Sequence, residues 1–95
     1  MPDERILLHL LRIAPVNGDD RYAPEGTSQP GIARALASYR QKVVADVHEL
    51  EREGLVEVRL RRTRDNRGKV RVKTYRLTAR GIQEARRRSD DRAKR

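Results

Sequence analysis

The chain has 95 residues, 36% of them hydrophobic, with three tyrosines and no Phe, Trp or Cys. That suffices for one small domain with an aliphatic core and excludes a disulfide framework, a zinc ribbon and thiolate chemistry. The formal charge of +9 is unevenly placed: residues 1–54 carry seven basic and nine acidic side chains, a net of −2, so the other 41 residues carry +11.

Residues 3–14 put Ile6, Leu7, Leu10, Leu11 and Ala14 on one face, the spacing of an amphipathic helix. Asp3 and Glu4 occupy its first turn, where the helix dipole favours negative charge, and Pro15 stops it. The same two acids stand where a signal peptide needs positive charge, and no apolar run is long enough to span a bilayer. A soluble, cytoplasmic protein without a membrane partner is therefore expected. Residues 16–26 read as a connector: Asn17-Gly18-Asp19-Asp20 is turn chemistry, and Tyr22-Ala23 forms a short extended piece before Pro24. Asp19 and Asp20 lack the ligand spacing and distal Glu of a calcium loop.

Ser28 is the predicted N-cap of a second helix, with Pro30 in its first turn and Ile32, Ala35 and Leu36 as its buried face. After a tight turn at Ala37-Ser38-Tyr39, a third helix carries Val43, Val47 and Leu50. Gly54 followed by Leu55 is the signature of a Schellman stop. Residues 55–62 and 69–77 alternate as strands around Asp65-Asn66-Arg67-Gly68. That turn pairs Val56 with Leu77, Val58 with Tyr75 and Leu60 with Lys73 on one face, with Tyr75 as a core anchor at the hairpin's root. Glu57 faces Arg76, a favourable cross-strand pair, whereas Arg62 faces Arg71 and Arg64 faces Lys69. Like charges set opposite each other suit a bound anion better than a free hairpin.

From Arg59 to Arg76 there are nine Lys or Arg and one acid, Asp65. The economical partner of such a patch is a polyanion, nucleic acid first. Thr78 caps a last helix through Ile82 and Ala85. The domain is expected over residues 1–86, with 87–95 a basic, frayed tail or the start of a linker. His9 and His48 lie on different helices without further ligands, so no metal is expected. There is no nucleophile–base arrangement and no Gly-rich phosphate loop, hence no catalytic residue, no cofactor and no enzyme.

Helix, helix, turn, helix, hairpin, helix is the order of the winged helix-turn-helix family, and the residues resemble it too. Ile32-Ala33-x-x-Leu36, then Val43, Val47 and Leu50, then Glu51-x-x-Gly54-Leu55-Val56, and finally Leu77-Thr78-x-x-Gly81 follow its spacing. The resemblance covers roughly residues 4–85 and is closest to MarR-like and archaeal winged-helix regulators. It implies an α+β, mainly α fold: a three-helix winged helix-turn-helix with a two-stranded β-hairpin wing and a C-terminal helix. It also implies sequence-influenced binding of double-stranded DNA, by a transcriptional regulator or the DNA-binding module of a larger one.

In such proteins the front of the third helix meets base edges in the major groove. By position, that front is Tyr39, Arg40, Gln41, Lys42, Val44 and Ala45. Arg40 suits guanine, Gln41 adenine, and Val44 or Ala45 a thymine methyl. The charge order agrees: Arg40 and Lys42 lead, while Asp46, Glu49, Glu51 and Glu53 follow. Ser28 and Gln29 at the start of the second helix would offer hydroxyl, amide and backbone N–H groups to phosphate. The wing would contribute Arg61, Arg62, Arg64, Arg67, Lys69 and Arg71. A homodimer through the first and last helices would fit a two-fold site.

Two residues depart from the pattern. Ala37 stands where the turn usually has Gly, and Tyr39 where a small cap is common, so either Ser38 caps the third helix or the turn is rearranged. Two other uses of the fold remain open. Val44, Ala45 and Asp46 are poor base readers, which favours a protein-interaction or tethering module. An arginine hairpin can also track an RNA duplex by its shape.

Overall fold

The structure, a computed structural model, describes residues 3–13, 25–63 and 71–93. Helix α1 (Glu4–Ile13) is followed by a 3₁₀ turn (Glu25–Thr27), α2 (Gln29–Ala35), α3 (Arg40–Arg52), strands β1 (Val56–Arg62) and β2 (Arg71–Leu77), and α4 (Ala79–Ala93). This is the mainly helical α+β arrangement of a winged helix-turn-helix, with an antiparallel two-stranded wing. Ala14, the connector through residue 24, the Asp65–Gly68 turn and the tip cations Arg64, Arg67 and Lys69 lie outside the described residues.

One aliphatic cluster holds these elements together. Ile6, Leu7 and Leu10 of α1 meet Ile32 of α2, Val43, Val47 and Leu50 of α3, the wing-root residues Val56, Tyr75 and Leu77, and Ala85 of α4. Full burial of each large aliphatic side chain contributes about 1.5–3 kcal/mol. The predicted apolar face of α2 is shifted: Gly31, Ile32 and Ala33 are buried, whereas Ala35 is exposed and Leu36 half-buried. The reason lies at the helix's start, where Ser28 makes a β-bridge to Thr74 and draws the first turn inward against the wing. His9 secures the segment just before it. Its Nε2 lies 2.8 Å from the Gly26 carbonyl, which can only accept, so that nitrogen carries the proton.

Both turns that bound α3 are Schellman motifs. At its end, Gly54 N–H donates to Glu51 C=O and Leu55 N–H to Leu50 C=O, each at 3.0 Å, with Gly54 left-handed at φ +78°. Between α2 and α3 the same pair of bonds runs from Ala37 N–H to Arg34 C=O at 3.3 Å and from Ser38 N–H to Ala33 C=O at 2.9 Å. Here the left-handed residue is Ala37, at φ +50°. The turn therefore keeps its geometry without its usual glycine. Ser38 does not cap α3; Tyr39 stands at the N-cap and makes no side-chain cap bond.

The register of the wing is the one the alternation predicts, from Val56 opposite Leu77 to Arg62 opposite Arg71. Its inner face leaves the core on the way out. Val56, Tyr75 and Leu77 are buried, Val58 is half-buried, and Leu60 is 63% exposed.

Thr78 and Gly81 fasten the wing's exit to the stop of α3. Thr78 Oγ1 accepts from Gly81 N–H at 3.0 Å and donates to Gly54 C=O at 2.7 Å, while Thr78 N–H donates to Leu55 C=O at 3.0 Å. A Cβ at Gly81 would lie 1.9 Å from the Leu55 carbonyl oxygen, so only glycine fits there.

The apolar pattern stops near residue 86, yet α4 continues to Ala93. Its polar end is laced by Glu84 with Arg87 and Arg88 and by Arg87 with Asp91. Such i,i+3 and i,i+4 pairs support helix where no apolar face does.

Candidate nucleic-acid interface

The front of α3 combines exposed cations with an uncapped helix start. Its first turn carries no acid, and its N-cap residue provides no side-chain acceptor. The leading N–H groups of a helix have no intrahelical partner, and they carry the positive end of the helix dipole. Arg40, Gln41 and Lys42 are all exposed there, Tyr39 is 83% exposed, Ala45 is exposed and Val44 half-buried. The exposed acids Glu49, Glu51 and Glu53 gather at the other end, with the cation Arg52 among them. Both groups are placed against the helix's own dipole, which prefers acids first and cations last. The half-buried Asp46 is turned to another use, since its Oδ2 accepts from the Asp3 backbone N–H at 3.3 Å.

At the start of α2 the two predicted residues have different surroundings. Ser28 is 1% exposed, and its Oγ accepts from Gly31 N–H at 3.1 Å, so its hydroxyl serves as the helix cap and is not presented at the surface. Gln29 is half-buried and joins two other elements. Its Nε2 donates to the Tyr75 hydroxyl at 2.9 Å, and its Oε1 faces Arg40 Nη2 at 3.5 Å. The wing root, the head of α2 and the head of α3 are brought together in this way. Nothing in the sequence announces the contact, because Gln29 and Tyr75 are 46 residues apart and each is unremarkable in its own stretch.

On the wing, strand alternation sorts the cations by face. Arg62 and Arg71 are opposite each other and exposed, on the same face as exposed Leu60 and Lys73. Arg61 is on the other face, half-buried and engaged in an interaction of its own. Lys73, which sequence reasoning left out of the wing contacts, is exposed on the same face as Arg62 and Arg71; its pairing with Leu60 in the register is the signal that could find it. Arg59 is exposed too, but it shares Glu57 with Arg76, lying 4.0 Å from that carboxylate.

The helix-turn-helix is braced from behind by α1. Arg5 forms an ion pair with Asp3 at 2.7 Å and donates from Nη1 to the Leu36 carbonyl at 3.3 Å, beside the left-handed Ala37. The Arg5 hydrogen bonds hold the Asp3 carboxyl below its ordinary range, against the opposing effect of partial burial.

Among the described residues, no group of three or more His, Cys, Asp or Glu could hold a metal ion. No helix among them is long and apolar enough to cross a membrane.

The arrangement is similar to two solved structures. Over 96% of its length the chain matches a MarR family transcription regulator, with a TM-score of 0.59 and 28% sequence identity. Over 94% it matches a mutant MepR from a multidrug resistant S. aureus clinical isolate, with a TM-score of 0.56 and 21% identity. It spans 51% and 59% of those chains, respectively. No family model matches the sequence, and no curated protein does either. The fold is a MarR-like winged helix.

Proposed function

We propose that this chain binds double-stranded DNA, as a transcriptional regulator or as the DNA-binding module of a larger one. The observation that carries the reading is the uncapped, cation-bearing head of α3, whose charge order opposes the helix's own stability. A phosphate backbone supplies the missing negative charge, and base edges beyond it come within reach of Arg40, Gln41 and Lys42, with Tyr39, Val44 and Ala45 beside them. The wing adds Arg62, Arg71 and Lys73, with Arg61, Arg64, Arg67 and Lys69 completing its basic complement. Mutual repulsion between Arg62 and Arg71 is relieved when an anion lies across them. The similarity to transcription regulators agrees with this reading.

Fluorescence anisotropy on a labelled random-sequence duplex across a salt series tests it. Binding should weaken steeply and linearly on a log–log plot as counterions are released. Replacing Arg62 and Arg71 together by Glu should weaken binding to every duplex alike and reduce the salt slope, by about one unit for each phosphate that is no longer neutralised. Absence of binding at low salt would overturn the proposal. An RNA duplex that competes better than DNA would reassign the wing to RNA.

A further inference from the structure

The contact between Gln29 and Arg40 bears on how the head of α3 discriminates among sequences. We propose that Gln29 is a positioning residue: it aims Arg40 from the buried root of the wing and thereby sets how strongly one duplex is preferred over another. The proposal rests on the DNA-binding reading above.

The anchor of this device is Tyr75, which is 3% exposed and held in the core by β2. Its hydroxyl receives the Gln29 Nε2 hydrogen bond at 2.9 Å. Next to it, Ser28 and Thr74 form a backbone bridge, so Gln29 is tied to β2 through its main-chain neighbour as well as through its side chain. A residue held twice has little freedom to follow a ligand.

The other end of the amide faces Arg40. A guanidinium has only donors, so the amide must turn its oxygen toward Arg40 and its nitrogen toward the phenol. Arg40 therefore meets an acceptor on one side while the residue as a whole is exposed. At 3.5 Å the contact is long for a hydrogen bond, so it biases the direction of the fork without locking it.

A bias of this kind has a definite signature. Arginine reads guanine through two N–H groups in a fixed fork, and a misdirected fork loses that pairing while keeping its charge. If Gln29 were itself a phosphate ligand, its loss would weaken all duplexes equally. As a positioning residue, its loss lowers affinity for a preferred duplex more than affinity for a random one.

The test uses the full chain, a duplex selected by the wild-type protein from a random pool, and a random-sequence duplex of the same length. Gln29→Ala should lower the preference for the selected duplex about three- to tenfold, the effect of freeing one rotamer-rich side chain at an interface. Affinity for the random duplex should fall less than affinity for the selected one. In an Arg40→Ala background, Gln29→Ala should produce no further loss of preference. An equal loss on both duplexes, or an additive loss on top of Arg40→Ala, overturns the proposal.

A second readout needs no DNA. Tyr75→Phe removes only the hydroxyl, and it should move the Arg40 guanidinium NMR signals when Gln29 is present but not in Gln29→Ala. Unmoved signals overturn the relay itself. Moved signals in a protein that binds no duplex overturn the DNA-binding reading, and with it the role in preference, while the relay stands.

Discussion

Ala37 adopts φ +50°, a left-handed conformation in which an L-residue's Cβ is crowded by backbone, at a cost of about 1–2 kcal/mol. Two Schellman hydrogen bonds hold it there, and Arg5 braces the Leu36 carbonyl alongside. Ala37→Gly should therefore raise the unfolding free energy by about 0.5–1 kcal/mol after allowing for glycine's more flexible unfolded state. A urea midpoint that fails to rise would show that the turn carries no strain. Gly54 performs the same task at the end of α3 without strain, and Gly81 answers a different need. There the constraint is space, since the Leu55 carbonyl occupies the volume that a Cβ would fill. The sequence marked all three positions as motif members, yet close backbone approach at Gly81 exists only once α4 packs on the α3–wing junction.

Among the elements, α3 presents a conflict between stability and binding. Tyr39 has the extended N-cap geometry, φ −76° and ψ 140°, but no side-chain acceptor. Tyr39→Asp should cap the helix and raise stability by about 1 kcal/mol while lowering affinity for any duplex, because the new charge lies where phosphate would sit. Parallel denaturation and anisotropy measurements check the two signs, and a variant that gains or loses in both would refute the trade-off. Helix α4 depends on charge in another way. Hydrogen bonds from Arg87 and Arg88 lower the Glu84 carboxyl to about 2 from an ordinary 4.5. A depressed carboxyl stabilises the fold fully above its ordinary value and loses that contribution as pH falls through the depressed one. Helical signal from the end of α4 should accordingly persist down to 4.5 and disappear as pH falls through about 2, and Glu84→Gln should abolish this dependence. Circular dichroism across that range is the measurement. The apolar pattern of the sequence could not foresee this extension, because ion pairs take over where core contacts end.

For the molecule as a whole, Ile6, Leu7 and Leu10 of α1 are buried in the core, Leu8, Leu11 and Ile13 are half-buried, and α1 packs along α4. Tyr39 and Leu60 are the large exposed hydrophobic residues among those described, and neither is on α1 or α4. A homodimer through the first and last helices is expected to draw on their exposed polar and charged side chains. Sedimentation velocity should show such a dimer dissociating as salt rises, since surface ion pairs are screened. A dimer indifferent to salt would refute an interface built on ion pairs.

Local chemistry was enough to determine the order of the helices and strands, the stop at Gly54, the cap at Thr78 and the wing register. Each depends on neighbours a few residues away or on strict alternation, and both are visible in a single chain. The buried face of α2, the burial of the Ser28 hydroxyl and the link from Tyr75 through Gln29 to Arg40 were decided by tertiary packing. They depend on β2 lying against the start of α2, and contacts between segments so far apart leave no periodic trace in the residues that make them.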